Sequence, residues 1–203
     1  RDCLLSRGLG DVYKRQLPFD YRFNDVLDEN AWYYDAVYAA WDAGLMNGVG
    51  NGMFEPESSM TRAMLVTVLW RYAGSPAGWE NPFTDVPNGS WFTQAVAWAA
   101  ENGIVNGVGN HKFEPESNIT REQMAAILYR YAAYKGYDVS QKADLSGYTD
   151  AASISGYAKD ALAWANAQKL ITGVTDTTLN PQGSATRAQV ATILMRLCET
   201  VVK

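Results

Sequence analysis

"NGVGNGMFEPESSMTR", residues 47–62, returns at residues 106–121 as "NGVGNHKFEPESNITR". Only four of the sixteen positions differ, across a separation of 59 residues. A loop written twice, glycines, proline and closing Thr-Arg included, signals an internal repeat. Working outward, "FNDVLDENAWYYDAVYAAWDAG" from Phe23 aligns with "FTDVPNGSWFTQAVAWAAENG" from Phe83, with one deletion after the Asp-Val pair. A more worn third copy begins at Tyr148. From Trp98 to Trp164, Gly107 to Gly173, Pro115 to Pro181 and Arg121 to Arg187 the offset is a constant 66.

Each copy reads as helix, ordered loop, helix. In "SWFTQAVAWAAEN" (90–102), Trp91, Ala95, Trp98 and Ala99 recur at helical spacing, and Gly103 suits a left-handed helix stop. The middle is glycine-rich and then briefly extended, too short for a sheet strand of consequence. Glycines 48, 50 and 52 allow positive φ and close backbone approach. Phe54, Phe113 and Leu179 share one position, that of a core plug, and Pro56, Pro115 and Pro181 stiffen the loop exit. Thr120 with Gln123, and Thr186 with Gln189, form capping boxes; Thr61 has Met64 at the box position, so its cap is expected to be weaker. Met124, Ile127, Leu128 and Tyr131 then mark one apolar helix face. Two short helices cannot bury their faces alone. The expected fold is therefore mainly all-α, three helix-loop-helix repeats packed around a shared axis. The repeats are placed at 17–74, 75–135 and 136–203, with polar, turn-rich linkers at 75–81 and 135–147.

Residues 1–16, "RDCLLSRGLGDVYKRQ", fit nothing that follows and read as a non-native adapter or cloning scar, not a signal peptide. With their four basic and two acidic residues removed, the net charge of −5 becomes −7. That acidity, with a pI near 4.9, argues against a nucleic-acid partner. An anionic ligand would have to be caught by local pockets. No apolar run is long enough to span a bilayer. Two cysteines make no disulfide framework, and Cys198, within an apolar helix pattern, is expected to be a buried free thiol.

Arg62, Arg121 and Arg187 stand in the first turn of a helix, where a cation opposes the macrodipole by about 0.3–1 kcal/mol. Two explanations stand side by side. One is an ion pair with the aspartates of "FND", "FTD" and "YTD", namely Asp25, Asp85 and Asp150. The other is an anion site, in which a guanidinium fork and exposed helix-N-terminal amides converge on a carboxylate. On the second, alanine at Arg62 or Arg121 is expected to weaken binding and leave the melting temperature nearly unmoved, with a smaller effect on binding at Arg187, whose loop is more worn. Trp32, Trp91 and Tyr157 share a position near the first helix, either as core packing or as a flat platform for a sugar ring.

These motifs, F-x-D-V, W, A-V, G-I, N-G, F-x-P and I-T-R, recurring in order over residues 23–198, resemble the S-layer homology (SLH) domain. The resemblance implies a monomeric pseudo-threefold bundle that anchors a secreted bacterial surface protein to the cell wall or S-layer. Its inter-repeat grooves would hold a pyruvylated secondary cell-wall polysaccharide non-covalently, without a cofactor. It implies ligand contacts at Arg62, Arg121 and Arg187, with Asp25, Asp85 and Asp150 and with Trp32, Trp91 and Tyr157 shaping the groove. The chain departs from the family at Met64, Gln123 and Gln189, where an acidic residue is usual. It departs again at "TGVTDTTL" in the third loop.

Other classes fit less well. His111 is the chain's single histidine and sits on a loop tip, so a His-based triad or a His-rich metal site has nothing to build on. The early loop positions are mostly Gly and Val where an EF-hand needs Asp or Asn at alternate positions. The serious alternative is a helical-repeat module for protein–protein interaction, which would use an exposed apolar groove instead of arginine pockets.

Overall fold

The computed structural model describes residues 23–202; the sixteen residues read as a scar lie outside that range. Six α-helices form: α1 (Tyr34–Asp42), α2 (Arg62–Tyr72), α3 (Thr93–Glu101), α4 (Arg121–Tyr134), α5 (Lys159–Ala167) and α6 (Arg187–Thr200). Two short 3-10 turns, Ala151–Ser153 and Gly156–Ala158, precede α5. Among the described residues the extended loop segments make only isolated bridges, without a sheet. The mainly all-α expectation holds. No described helix is long and apolar enough to cross a membrane.

Helix ends follow the local chemistry. Gly44 and Gly103 terminate α1 and α3 with φ of 67° and 66°, as a left-handed stop requires. Thr61, Thr120 and Thr186 each accept a hydrogen bond from the amide three residues on. Only α4 and α6 complete the box through Gln123 and Gln189; the Met64 side chain supplies no acceptor. Trp91 lies ahead of α3 rather than on its buried face, and is exposed.

Contacts gather the described residues into two compact units, one formed by the stretch up to Ser59 with that from Thr186 onward, the other by Met60–Ala185. These units cut across the repeats. In the first, α6 of the last repeat packs on α1 of the first. Phe23 sits there among Tyr38, Trp41 and Phe54, with ring centroids 5.3–5.8 Å apart. Cys198, on α6, is buried but disulfide-bonded, not the free thiol expected. In the second unit α2 packs on α3 and α4 on α5, again second helix on the following repeat's first helix. Trp98 lies against Tyr131 and Tyr134, and Trp164 against Tyr129. The loop plugs Phe54, Phe113 and Leu179 are fully buried.

The second unit also holds a closed ring of backbone hydrogen bonds, one residue from each repeat. Met60 N–H donates to Ala185 O (2.9 Å), Ile119 N–H to Met60 O (2.9 Å) and Ala185 N–H to Ile119 O (3.0 Å). All three residues are buried, so each bond replaces one that water cannot supply. Every repeat is needed to close the ring.

A chain ending at Lys135 therefore loses Ala185 and both helices that cover α1 and α4. It is expected to melt well below the full chain or to aggregate, as read by thermal unfolding and light scattering. A 17–135 monomer as stable as the whole would contradict this packing.

Candidate functional site

Each second helix begins by docking on the loop of another repeat. Arg62 N–H donates to Ser117 O, Ala63 N–H to Pro115 O, and Arg62 Nε to Phe113 O, at 2.9, 3.0 and 2.8 Å. Arg121 and Glu122 treat Gly183, Pro181 and Leu179 the same way. Arg187 and Ala188 do so with Ser58, Pro56 and Phe54. Three alternate carbonyls of an extended loop thus meet two helix-start amides and one side-chain donor. A helix leaves its first amides without internal partners, and here a loop supplies the acceptors. The proline suits the middle rung: it offers a carbonyl and has no N–H to satisfy.

Two sequence-based expectations change. The exposed helix-N-terminal amides are not available to an anion, because loop carbonyls and the threonine caps already occupy them. Nor are the arginines ion-paired to the aspartates: among the described residues no such pair forms. Asp25, Asp85 and Asp150 instead grip the same loops from the amide side. Asp85 accepts from Phe113 N–H and Glu114 N–H, both at 2.8 Å. Asp150 accepts from Leu179 and Asn180, and Asp25 from Phe54 and Glu55. Glu55, Glu114 and Asn180 carry φ of 57°, 56° and 52°, a left-handed conformation uncommon outside glycine. The carboxylate's two charge-assisted bonds hold that turn. Aspartate and arginine therefore meet through one loop residue, Asp85 on the N–H of Phe113 and Arg62 on its C=O.

The arginines are 5%, 5% and 7% exposed, and burial pulls each guanidinium below its ordinary pKa. Nearby Glu114, Tyr157 and Asp85 oppose this at Arg62, Asp150 and Tyr148 at Arg121, and Glu55 and Asp25 at Arg187. Arg62 and Arg187 stack over the Phe113 and Phe54 rings at 4.7 and 4.4 Å. The third loop has Leu179 there and offers no ring. Arg121 and Arg187 each spend a terminal nitrogen as well, on Thr172 O (2.6 Å) and Asn47 O (2.7 Å).

The aromatic position resolves against core packing: Trp32, Trp91 and Tyr157 are 58%, 56% and 54% exposed. Tyr157 borders a pocket of about 280 Å³ within the second unit, lined also by Arg62, Arg130, Gln123, Asn106 and Val108. Gly107 lines it too, and its backbone sits tight on its neighbours: a Cβ there would stand 2.5 Å from Lys112 O and 2.8 Å from Phe83. Several lining residues escaped the sequence reading. Val108 had a signal, since an exposed valine in a glycine loop recurs as Val49 and Val174. Arg130 recurs as Arg71 and Arg196. Glu122 had none. It is 2% exposed and accepts from Ser155 N–H, Ser155 Oγ and Tyr157 Oη, at 3.0, 2.7 and 3.1 Å. Burial and the Glu122 charge push the Tyr157 phenol up to about 12.

Comparison with known proteins decides the family. Residues 22–63, 82–125 and 147–191 each match the S-layer homology domain. The chain belongs to that family. These SLH repeats are 34% identical over 176 residues to an endoglucanase of Bacillus sp. (strain KSM-635), covering 86% of this chain and 18% of that protein. They are 31% identical to the surface-layer 125 kDa protein of Lysinibacillus sphaericus, over 89% of this chain and 15% of the relative. The cellulosome-anchoring protein of Acetivibrio thermocellus is 27% identical, over 77% and 36%. The chain thus spans under a fifth of the first two relatives' length. SLH repeats are non-catalytic anchoring modules, which agrees with the expectation that this chain is not itself an enzyme.

Two outcomes follow for these SLH loops. Arg121→Ala strips donors from two carbonyls, so the melting temperature should fall by roughly 5–10 °C, at about 2–3 kcal/mol for a lost charged donor. Arg121→Lys should not restore it, lacking the planar fork. Thermal melts decide whether this or the sequence-based expectation of an unmoved melting temperature is right.

The second outcome concerns acid. Hydrogen bonds from Leu179 and Asn180 hold the Asp150 carboxyl below its usual value, against the opposing effect of desolvation. A depressed native pKa means the stabilisation is complete above the unfolded-state value, about 3.9, and is lost as pH falls through the native pKa. Melts below about pH 4 should show a steeper acid loss for the parent chain than for Asp150→Asn.

Proposed function

We propose that this chain anchors a bacterial surface protein to the cell wall by holding a pyruvylated secondary cell-wall polysaccharide. One observation carries the reading: the pocket at Arg62 combines a buried guanidinium with an exposed aromatic ring and an exposed valine. A ketal-linked pyruvate offers that combination its complement. Its carboxylate suits the planar fork, while the sugar's apolar face suits Tyr157 and Val108. The acidic chain as a whole repels a polyanion, so the attraction must be local and short-ranged. Asp85 serves the pocket indirectly, by fixing the loop that carries Asn106–Val108 against Lys112 and Phe113. Relatives named as surface-layer, cell-surface and cellulosome-anchoring proteins support the extracellular setting and the anchoring role.

Native cell-wall sacculi should retain the protein in a pull-down, and sacculi freed of pyruvyl groups should release it. Undiminished retention on depyruvylated walls would reject the anionic ligand. Retention lost only on removing the whole polymer would point to neutral sugar contacts.

A further inference from the structure

The three arginine positions, alike in sequence, are not alike in what their side chains have left to offer. Arg121 commits Nε to Leu179 O and a terminal nitrogen to Thr172 O; Arg187 commits the same atoms to Phe54 O and Asn47 O. Arg62 commits Nε alone, to Phe113 O. The equivalent carbonyl, on Asn106, receives nothing from it. Among the described residues the two terminal nitrogens of Arg62 have no protein acceptor, and neither is sealed from solvent. Arg62, only 5% exposed as a residue, thus lines the pocket with two donor nitrogens that no described residue accepts from.

Two neighbours distinguish that pocket further. Arg130, half-buried and without an ion-pair partner among the described residues, lines it as a second cation. Tyr157 forms a wall whose phenol is tied to Glu122, a buried carboxylate in a position occupied by Ala63 and Ala188 in the other repeats. Where Trp32 and Trp91 stand in repeats one and two, the third repeat has Tyr157, and the acceptor for its hydroxyl appears at the start of α4, in the second repeat. The two departures compensate each other.

We infer that the Arg62 pocket is the anion-binding site of this chain, with Arg130 as its second cation and Glu122 as the residue positioning Tyr157, whereas Arg121 and Arg187 are structural clasps for their loops. This rests on the anionic-saccharide reading above and narrows it from three equivalent grooves to one. A single carboxylate would take the Arg62 fork bidentately, and Arg130 would add long-range attraction that salt weakens.

The test reads the arginine Nε–Hε signals of the intact chain by NMR during titration with a methyl glycoside carrying a pyruvate ketal. Saturable shifts at Arg62 and Arg130, with Arg121 and Arg187 unmoved, are expected. Arg130→Ala and Tyr157→Phe, which leave the loop clasps untouched, should weaken binding roughly ten-fold and a few-fold. Glu122→Gln should weaken it as Tyr157→Phe does, without lowering affinity further in the double variant. Comparable shifts at Arg121 or Arg187 would overturn the assignment while leaving the polysaccharide reading intact. So would silence at Arg62 while sacculi still bind. If neither glycoside nor sacculi bind, the polysaccharide reading falls, and sodium pyruvate as probe decides the pocket alone. Shifts confined to Arg62 and Arg130 would keep it, and even shifts or none would end it.

Discussion

Helix-start amides that lack acceptors within their own helix organise this molecule. In each repeat the second helix finds those acceptors on another repeat's loop, at three alternate carbonyls. The loop must therefore run extended and sit close, which calls for glycine where its backbone crosses Met53 or Lys112 and for a buried ring or leucine as a plug. It must also turn left-handed at Glu55, Glu114 and Asn180. An aspartate meets that cost with two bonds to adjacent amides. Arginine extends the helix's donor row by one side-chain N–H, which outweighs its opposition to the macrodipole.

The same arrangement governs what the site can do. Because the amides are spent, a helix dipole alone could not hold an anion there, and the donors left on offer are side-chain cations. Buried charges cost several kcal/mol to desolvate unless their donors are met. Arg121 and Arg187 meet theirs with backbone carbonyls, which rigidifies the loops but leaves less for a ligand. Arg62 leaves part of its capacity open at a pocket. The apolar surface beside that pocket is likewise set by what the loops expose, since Val108 and Tyr157 are kept out of the core.

Threefold repetition is also what makes the pieces interdependent. Met60, Ile119 and Ala185 close a ring only if each repeat delivers its residue. The compact units mix helices of different repeats. A repeat of this length cannot bury both of its helices by itself, so stability is shared between neighbours, not summed over independent modules.

Much was legible in the sequence because it is local or periodic. The capping boxes at Thr120 and Thr186, their absence at Thr61, the glycine stop at 103 and the buried plugs at 54, 113 and 179 all follow from propensity and spacing. The family followed from motifs recurring in order. The destination of the long side chains did not. Whether Arg62, Arg121 and Arg187 faced aspartate, ligand or backbone depended on which carbonyl the folded loop brings within 3 Å, and identical Thr-Arg dipeptides ended with different numbers of bonds. Trp32 and Trp91 carried the composition of a core and the exposure of a surface, because the helix begins only after them. Glu122 was invisible for the same reason: a lone acidic residue in a helix acquires meaning only when tertiary packing sets Ser155 and Tyr157 against it. Sequence periodicity determines which elements form and which face they bury, whereas hydrogen-bond partners more than thirty residues apart are chosen by three-dimensional proximity, and that is a property of the packed chain.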